Sequence, residues 1–102
     1  MPLPQAQVYS TNLPADITSA KKQVTKAKSE TLLRQVMREE YIQMFTDHVE
    51  KLQGHRDTIE NGLATETISL EQITAAKAAV SAFRLDKDAF TKALDVYHTK
   101  NK

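Results

Sequence analysis

The chain contains no cysteine, which excludes disulfides and thiolate-bound metal sites. It also has no tryptophan, only two glycines and only three prolines. All three prolines lie in the first 14 residues, so residues 15–102 are free of the strongest helix breaker. No window approaches the roughly 20 apolar residues of a membrane span, and no transmembrane segment is expected. The first ten residues have neither a basic n-region nor an apolar h-region, so no cleavable signal peptide is expected. A cytoplasmic protein, or one incorporated into a macromolecular assembly, fits these absences.

Catalytic patterns are missing too. The sequence holds no nucleophile elbow, no Gly-rich phosphate loop and no zincin helix. Glu39 and Glu40 are adjacent, so on a helix they point to different sides and make no carboxylate dyad. His48 and His55 lie seven apart, about 10 Å along a helix, too far to share one metal ion. They read as two histidines on the helix seam with polar tips at its edge, or as a pH-sensitive interface. No catalytic, cofactor-binding or metal-ligating residue is expected, and no enzymatic activity.

What is present is helical periodicity. Pro2, Pro4 and Pro14 push their preceding residues away from the helical region, so residues 1–14 read as an extended, mobile arm. Asp16 is a reasonable N-cap for a helix over about 16–61. Its early stripe, Ile17, Ala20, Val24 and Ala27, is narrow. Leu33, Met37, Tyr41, Phe45, His48, Leu52, His55 and Ile59 then continue at helical spacing, widened by Val36, Met44 and Val49. The two stripes are out of phase, which predicts a bend or break near residues 29–31. Asn61-Gly62 reads as a helix stop, followed by a turn over 62–68.

The next start signal is doubled. Ser69-Leu-Glu-Gln72 is a capping box, and Ile68 with Ile73 forms a hydrophobic staple around it. The helix that follows, over about 69–98, carries Ile73, Ala76, Val80, Phe83, Phe90, Leu94 and Tyr97 in alternating steps of three and four. Lys87 is the one polar occupant of that seam. It either sets register or snorkels to solvent.

Residues 33–60 and 70–98 give helices of about 42 and 43 Å, and their short connection forces antiparallel neighbours. The expected fold is all-α: a coiled-coil-like antiparallel hairpin with an additional N-terminal helical segment and the mobile arm. The interface of the hairpin is Tyr41, Phe45, Leu52 and Ile59 against Ile73, Val80, Phe83, Phe90, Leu94 and Tyr97. Two helices bury only one seam, which leaves so small a domain marginal. Either residues 16–31 fold back as a third helix or another chain covers the hairpin.

Charge is segregated behind a net +1: residues 16–38 carry +4, 39–71 carry −6 and 72–102 carry +3. Such asymmetry favours head-to-tail association or a charged partner. Lys21, Lys22, Lys26 and Lys28 are candidate contacts to an anionic partner. The same run also fits an ordinary solvated face. Without arginine clusters or interleaved aromatics, nucleic acid is disfavoured.

The stretches Lys77-Ala-Ala-Val-Ser-Ala82 and Lys92-Ala-Leu-Asp-Val-Tyr97 are similar to the rod-adaptor subunits of flagellar and type III secretion basal bodies, over about a quarter of the chain. That resemblance implies a mobile N-terminus and a C-terminal helical hairpin. The chain departs from the family at its end, where His98-Thr-Lys-Asn-Lys102 replaces a hydrophobic Met-containing terminus. The expected function is a non-enzymatic structural or adaptor subunit of a larger assembly, of secretion, flagellar or virion type. Its partners would be proteins or copies of itself, in a homo- or hetero-oligomer. The alternatives are a small regulatory binder (inhibitor, immunity protein or chaperone) and a nucleic-acid or anionic-surface binder acting through the basic helix.

Overall fold

The computed structural model describes the backbone of residues 4–31 and 33–100, with side chains from residue 11 onward. Among the described residues the chain is all-α, with helices α1 (Pro4–Ser29), α2 (Gln35–Thr65) and α3 (Leu70–Lys100). Together they form a rod of 56 × 18 × 17 Å. α2 and α3 are the antiparallel hairpin, and α1 folds back along both, most extensively along α2. Cross-helix pairs fix the direction: Asp16 meets Arg84 and Glu30 meets His98, so α1 runs parallel to α3.

Four boundaries differ from the sequence reading, each for a physical reason. The arm expected to be extended over 1–14 is helical from Pro4, and residues 1–3 lie outside the described residues. Pro4 occupies the first helical position, where a missing N–H costs nothing. Pro14 lies inside α1, but Leu13 and Ile17 beside it are buried at 0% and 3% exposure. Burying such side chains contributes about 1.5–3 kcal/mol each, which offsets the interrupted hydrogen bond. Asp16 is therefore no N-cap. It sits mid-helix and accepts from the Arg84 guanidinium at 3.3 Å.

The bend or break expected near residues 29–31 of the helix over 16–61 is a complete reversal of the chain. Ser29 is the last residue of α1, and its hydroxyl donates back to the Lys26 carbonyl rather than capping a new helix. Arg34 stands at the start of α2 in extended backbone without a side-chain cap. Arg38 supplies the hold, its guanidinium donating to the Leu33 carbonyl at 3.0 Å. Leu33 itself is buried, so the reversal is anchored in the core.

α2 also runs a turn past the Asn61-Gly62 stop, to Thr65. The left-handed residue that closes it is Glu66, with φ 58° and ψ 31°. The amides of Glu66 and Thr67 both donate to the Gly62 carbonyl. Glycine at 62 has a different role: a Cβ there would lie 3.0–3.2 Å from the side chain and backbone of Ile68, tighter than ordinary contact. The connection to α3 passes over that bare surface. The capping box forms as its residues imply, with the Ser69 amide donating to Gln72 Oε1 at 3.0 Å and the Gln72 amide donating to Ser69 Oγ at 3.3 Å.

Candidate interaction surfaces

The hairpin seam lies in the core. Phe45, Leu52, Ile59, Ile73, Val80, Phe83, Phe90 and Leu94 are buried, and Tyr41 and Tyr97 pack half-buried at its end. The Tyr41 and Phe90 ring centroids are 4.6 Å apart. Phe45 sits between Phe83 at 6.3 Å and Phe90 at 5.2 Å, and Lys87 is half-buried. Tyr97 donates to Met37 Sδ at 3.5 Å across the far end. These residues hold the hairpin together internally, and α1 covers what they leave open with Leu13, Ile17, Ala20 and Ala27. They are therefore not an open docking site. Of the apolar positions beside the seam, Met44 and Val49 pack against the core and Val36 remains 66% exposed.

His48 is more deeply placed than an edge histidine. It is buried, and its Nε2 lies 2.7 Å from Asp86 Oδ2 on α3. Its ring also meets Phe83 edge-on at 5.7 Å. His55, one heptad on, is half-buried. His98 Nε2 lies 3.2 Å from Glu30 Oε2. Each histidine pair joins two helices, and among the described residues no group of three or more potential ligands could hold a metal ion.

The four lysines of α1 are exposed but do not make one patch. At about 100° per residue, Lys21 and Lys28 share one line while Lys22 and Lys26 lie roughly 100–160° away. Lys21 borders a shallow groove between α1 and α2, lined with Val24, Thr46 and Val49, of about 220 Å³. Lys26 leans the other way, its Nζ 5.9 Å from the Phe90 ring centre. That contact gives it a structural role within the bundle.

A further surface is absent from the sequence reading. The outer side of α3 carries Leu70, Leu85 and Val96 at 63%, 72% and 52% exposure. Ala75, Ala78, Ala82 and Ala89 are exposed between them. Glu71, Ala75, Ala78, Ala82, Leu85, Ala89, Lys92 and Val96 repeat in steps of four and three. This is a second heptad line on the side opposite the core seam. The signal was available in the sequence, but four alanines register as helix formers before they register as a contact surface. At the C-terminal end of this face, Asp95, Val96, Thr99 and Lys100 line a depression of about 270 Å³.

Among the described residues no helix is long and apolar enough to cross a membrane. Comparison with models of known families, with curated proteins and with solved structures finds no match.

Proposed function

We propose that the chain is a non-enzymatic helical structural or adaptor subunit of a larger protein assembly, of secretion, flagellar or virion type. The observation that carries the reading is the outer face of α3. Its inner face already meets α1 and α2, yet Leu70, Leu85 and Val96 stand exposed on the other side. Three large apolar side chains on one exposed helix face, with exposed alanines between them, are the support for a protein contact there. A rod 56 Å long and 18 Å wide presents that face along its length, as a packing element does. The division of the α1 lysines between two sides, with Lys26 committed to Phe90, argues against a basic surface made for nucleic acid.

The test is stoichiometry. The full-length chain, tagged at its C-terminus and isolated from its native source under mild conditions, is quantified against its co-purifying proteins by mass spectrometry. A fixed ratio with several copies per particle supports the assembly reading. One copy bound to one discrete target replaces it with a regulatory role, and a free monomer throughout overturns both.

A further inference from the structure

We infer that the outer face of α3 is self-complementary and joins two copies of this chain in an antiparallel, two-fold contact centred on Leu85. The inference rests on the assembly reading for its biological sense and supplies what that reading leaves open, the first partner.

Three features of the face agree on one register. The first is shape along the heptad line. A two-fold axis beside Leu85 sets the two Leu85 side chains against each other and places Ala82 opposite Ala89 of the second copy. Further out it places Ala75 opposite Val96. Small residues thus meet larger ones or each other, which allows close approach of the two helices.

The second feature is charge. Lys77, Arg84, Asp88 and Asp95 all lie on one flank of the line, within about 40° of each other at 3.6 residues per turn. The basic pair comes first along the chain and the acidic pair second. Only an antiparallel partner brings unlike charges together along that flank: Lys77 faces Asp95 and Arg84 faces Asp88. Arg84 keeps 60% of its side chain exposed while it holds Asp16, so it remains available. A parallel two-fold pairing would turn that flank toward the other flank of the second helix and leave these groups without each other.

The third feature is a knob and a hole. Leu70, 63% exposed at the start of α3, is an apolar knob outside the core. The same axis brings it to the C-terminal end of the second α3, at the depression lined by Asp95, Val96, Thr99 and Lys100. The depression is open to solvent and about 270 Å³, so a leucine side chain can lie in it.

A strip the length of α3, about 46 Å, and about 10 Å wide buries roughly 900 Å² over both copies. That is at the low end for specific interfaces, so the pair is concentration-dependent rather than permanent. Because a two-fold contact closes on itself, it yields a dimer and not a filament.

Sedimentation equilibrium of the full chain, from low micromolar to near-millimolar concentration, tests the inference. The expected mass rises from 11.5 kDa toward twice that value. Leu85→Glu places two carboxylates at the axis and weakens association at least tenfold, while circular dichroism and the melting temperature stay unchanged because Leu85 lies outside the core. Lys77→Glu and Asp95→Lys each weaken it several-fold, and the double variant recovers it, which no parallel or off-register contact would do. A monomer at every concentration, a dimer indifferent to Leu85→Glu, or a double variant no better than the singles overturns the inference. Failure here with a multi-copy native particle intact sinks the pairing alone. A dimer found bound to a single discrete target sinks the assembly reading alone.

Discussion

Gly54 and Gly62 stand in the same helix and have opposite reasons to be there. Around Gly54 a Cβ would meet nothing within 4 Å. Its glycine only adds freedom to the unfolded chain, so Gly54→Ala raises stability by up to about 1 kcal/mol. At Gly62 the same methyl would lie 3.1 Å from the Ile68 Cα, and the connection to α3 must move to admit it. Overpacking of that kind costs about 1–3 kcal/mol, more than the gain in helix propensity. Urea unfolding of the two variants therefore gives midpoints that move in opposite directions. Two lowered midpoints, or two raised ones, contradict the account. Asp86 offers a second residue-level check. Asp86→Ala leaves the buried His48 without its 2.7 Å partner and costs about 1–3 kcal/mol, while Asp86→Asn, which still presents an oxygen to the ring N–H, costs less. Equal losses in the two variants would show that the contact is packing alone.

At the scale of the element, the three helices were legible to different depths. α3 and its start could be read because the information is local: Ser69 and Gln72 are three residues apart, and the heptad repeats within one helix. The seam of the hairpin could be named from the two stripes, and Tyr41 and Phe90 from its opposite arms meet at 4.6 Å. The end of α2 was misread because Asn61-Gly62 carries the usual sign of a stop, while the residue that takes the left-handed conformation is Glu66. α1 was the least legible. Whether residues 16–31 fold back depends on how their narrow stripe fits two other helices, and no local pattern encodes that fit. Its start was obscured by Pro14, a strong local signal overridden by the burial of Leu13 and Ile17. The exposed apolar line of α3 was missed for a related reason, since alanine serves helix formation and contact alike. Pro14 yields a direct prediction. It is exposed, so Pro14→Ala disturbs no packing and restores a backbone donor inside α1. Thermal unfolding should shift upward, by an amount worth about 1–3 kcal/mol. A neutral or destabilising outcome would mean that the first turns of α1 add nothing to the folded state, or that Pro14 sets a bend the bundle uses.

The whole molecule is a rod in which each helix touches the other two. No pair of helices encloses the core by itself. Leu13, Ile17, Ala20 and Ala27 of α1 close the side of the hairpin that α2 and α3 leave open, while the Asp16–Arg84 ion pair and the Glu30–His98 contact tie α1 and the residue after it to the middle and the C-terminal end of α3. The exposed pairs contribute little singly, so the apolar residues carry the closure. Removal of residues 1–31 then strips one wall from Phe45, Leu52 and Phe90 together. We predict that the shortened chain keeps helical circular dichroism yet loses its sharp thermal transition and binds a dye for exposed apolar surface, the signature of fluctuating packing. A synthetic peptide of residues 4–31 added in trans should restore cooperativity, because the wall is complementary and needs no covalent link to seat. Should the shortened chain unfold as sharply as the whole one, the hairpin would be the self-sufficient module and α1 a detachable element, freed for docking. That single comparison decides whether the excess length at the N-terminus is part of the scaffold or part of the interface, and the burial of its apolar stripe argues for the scaffold.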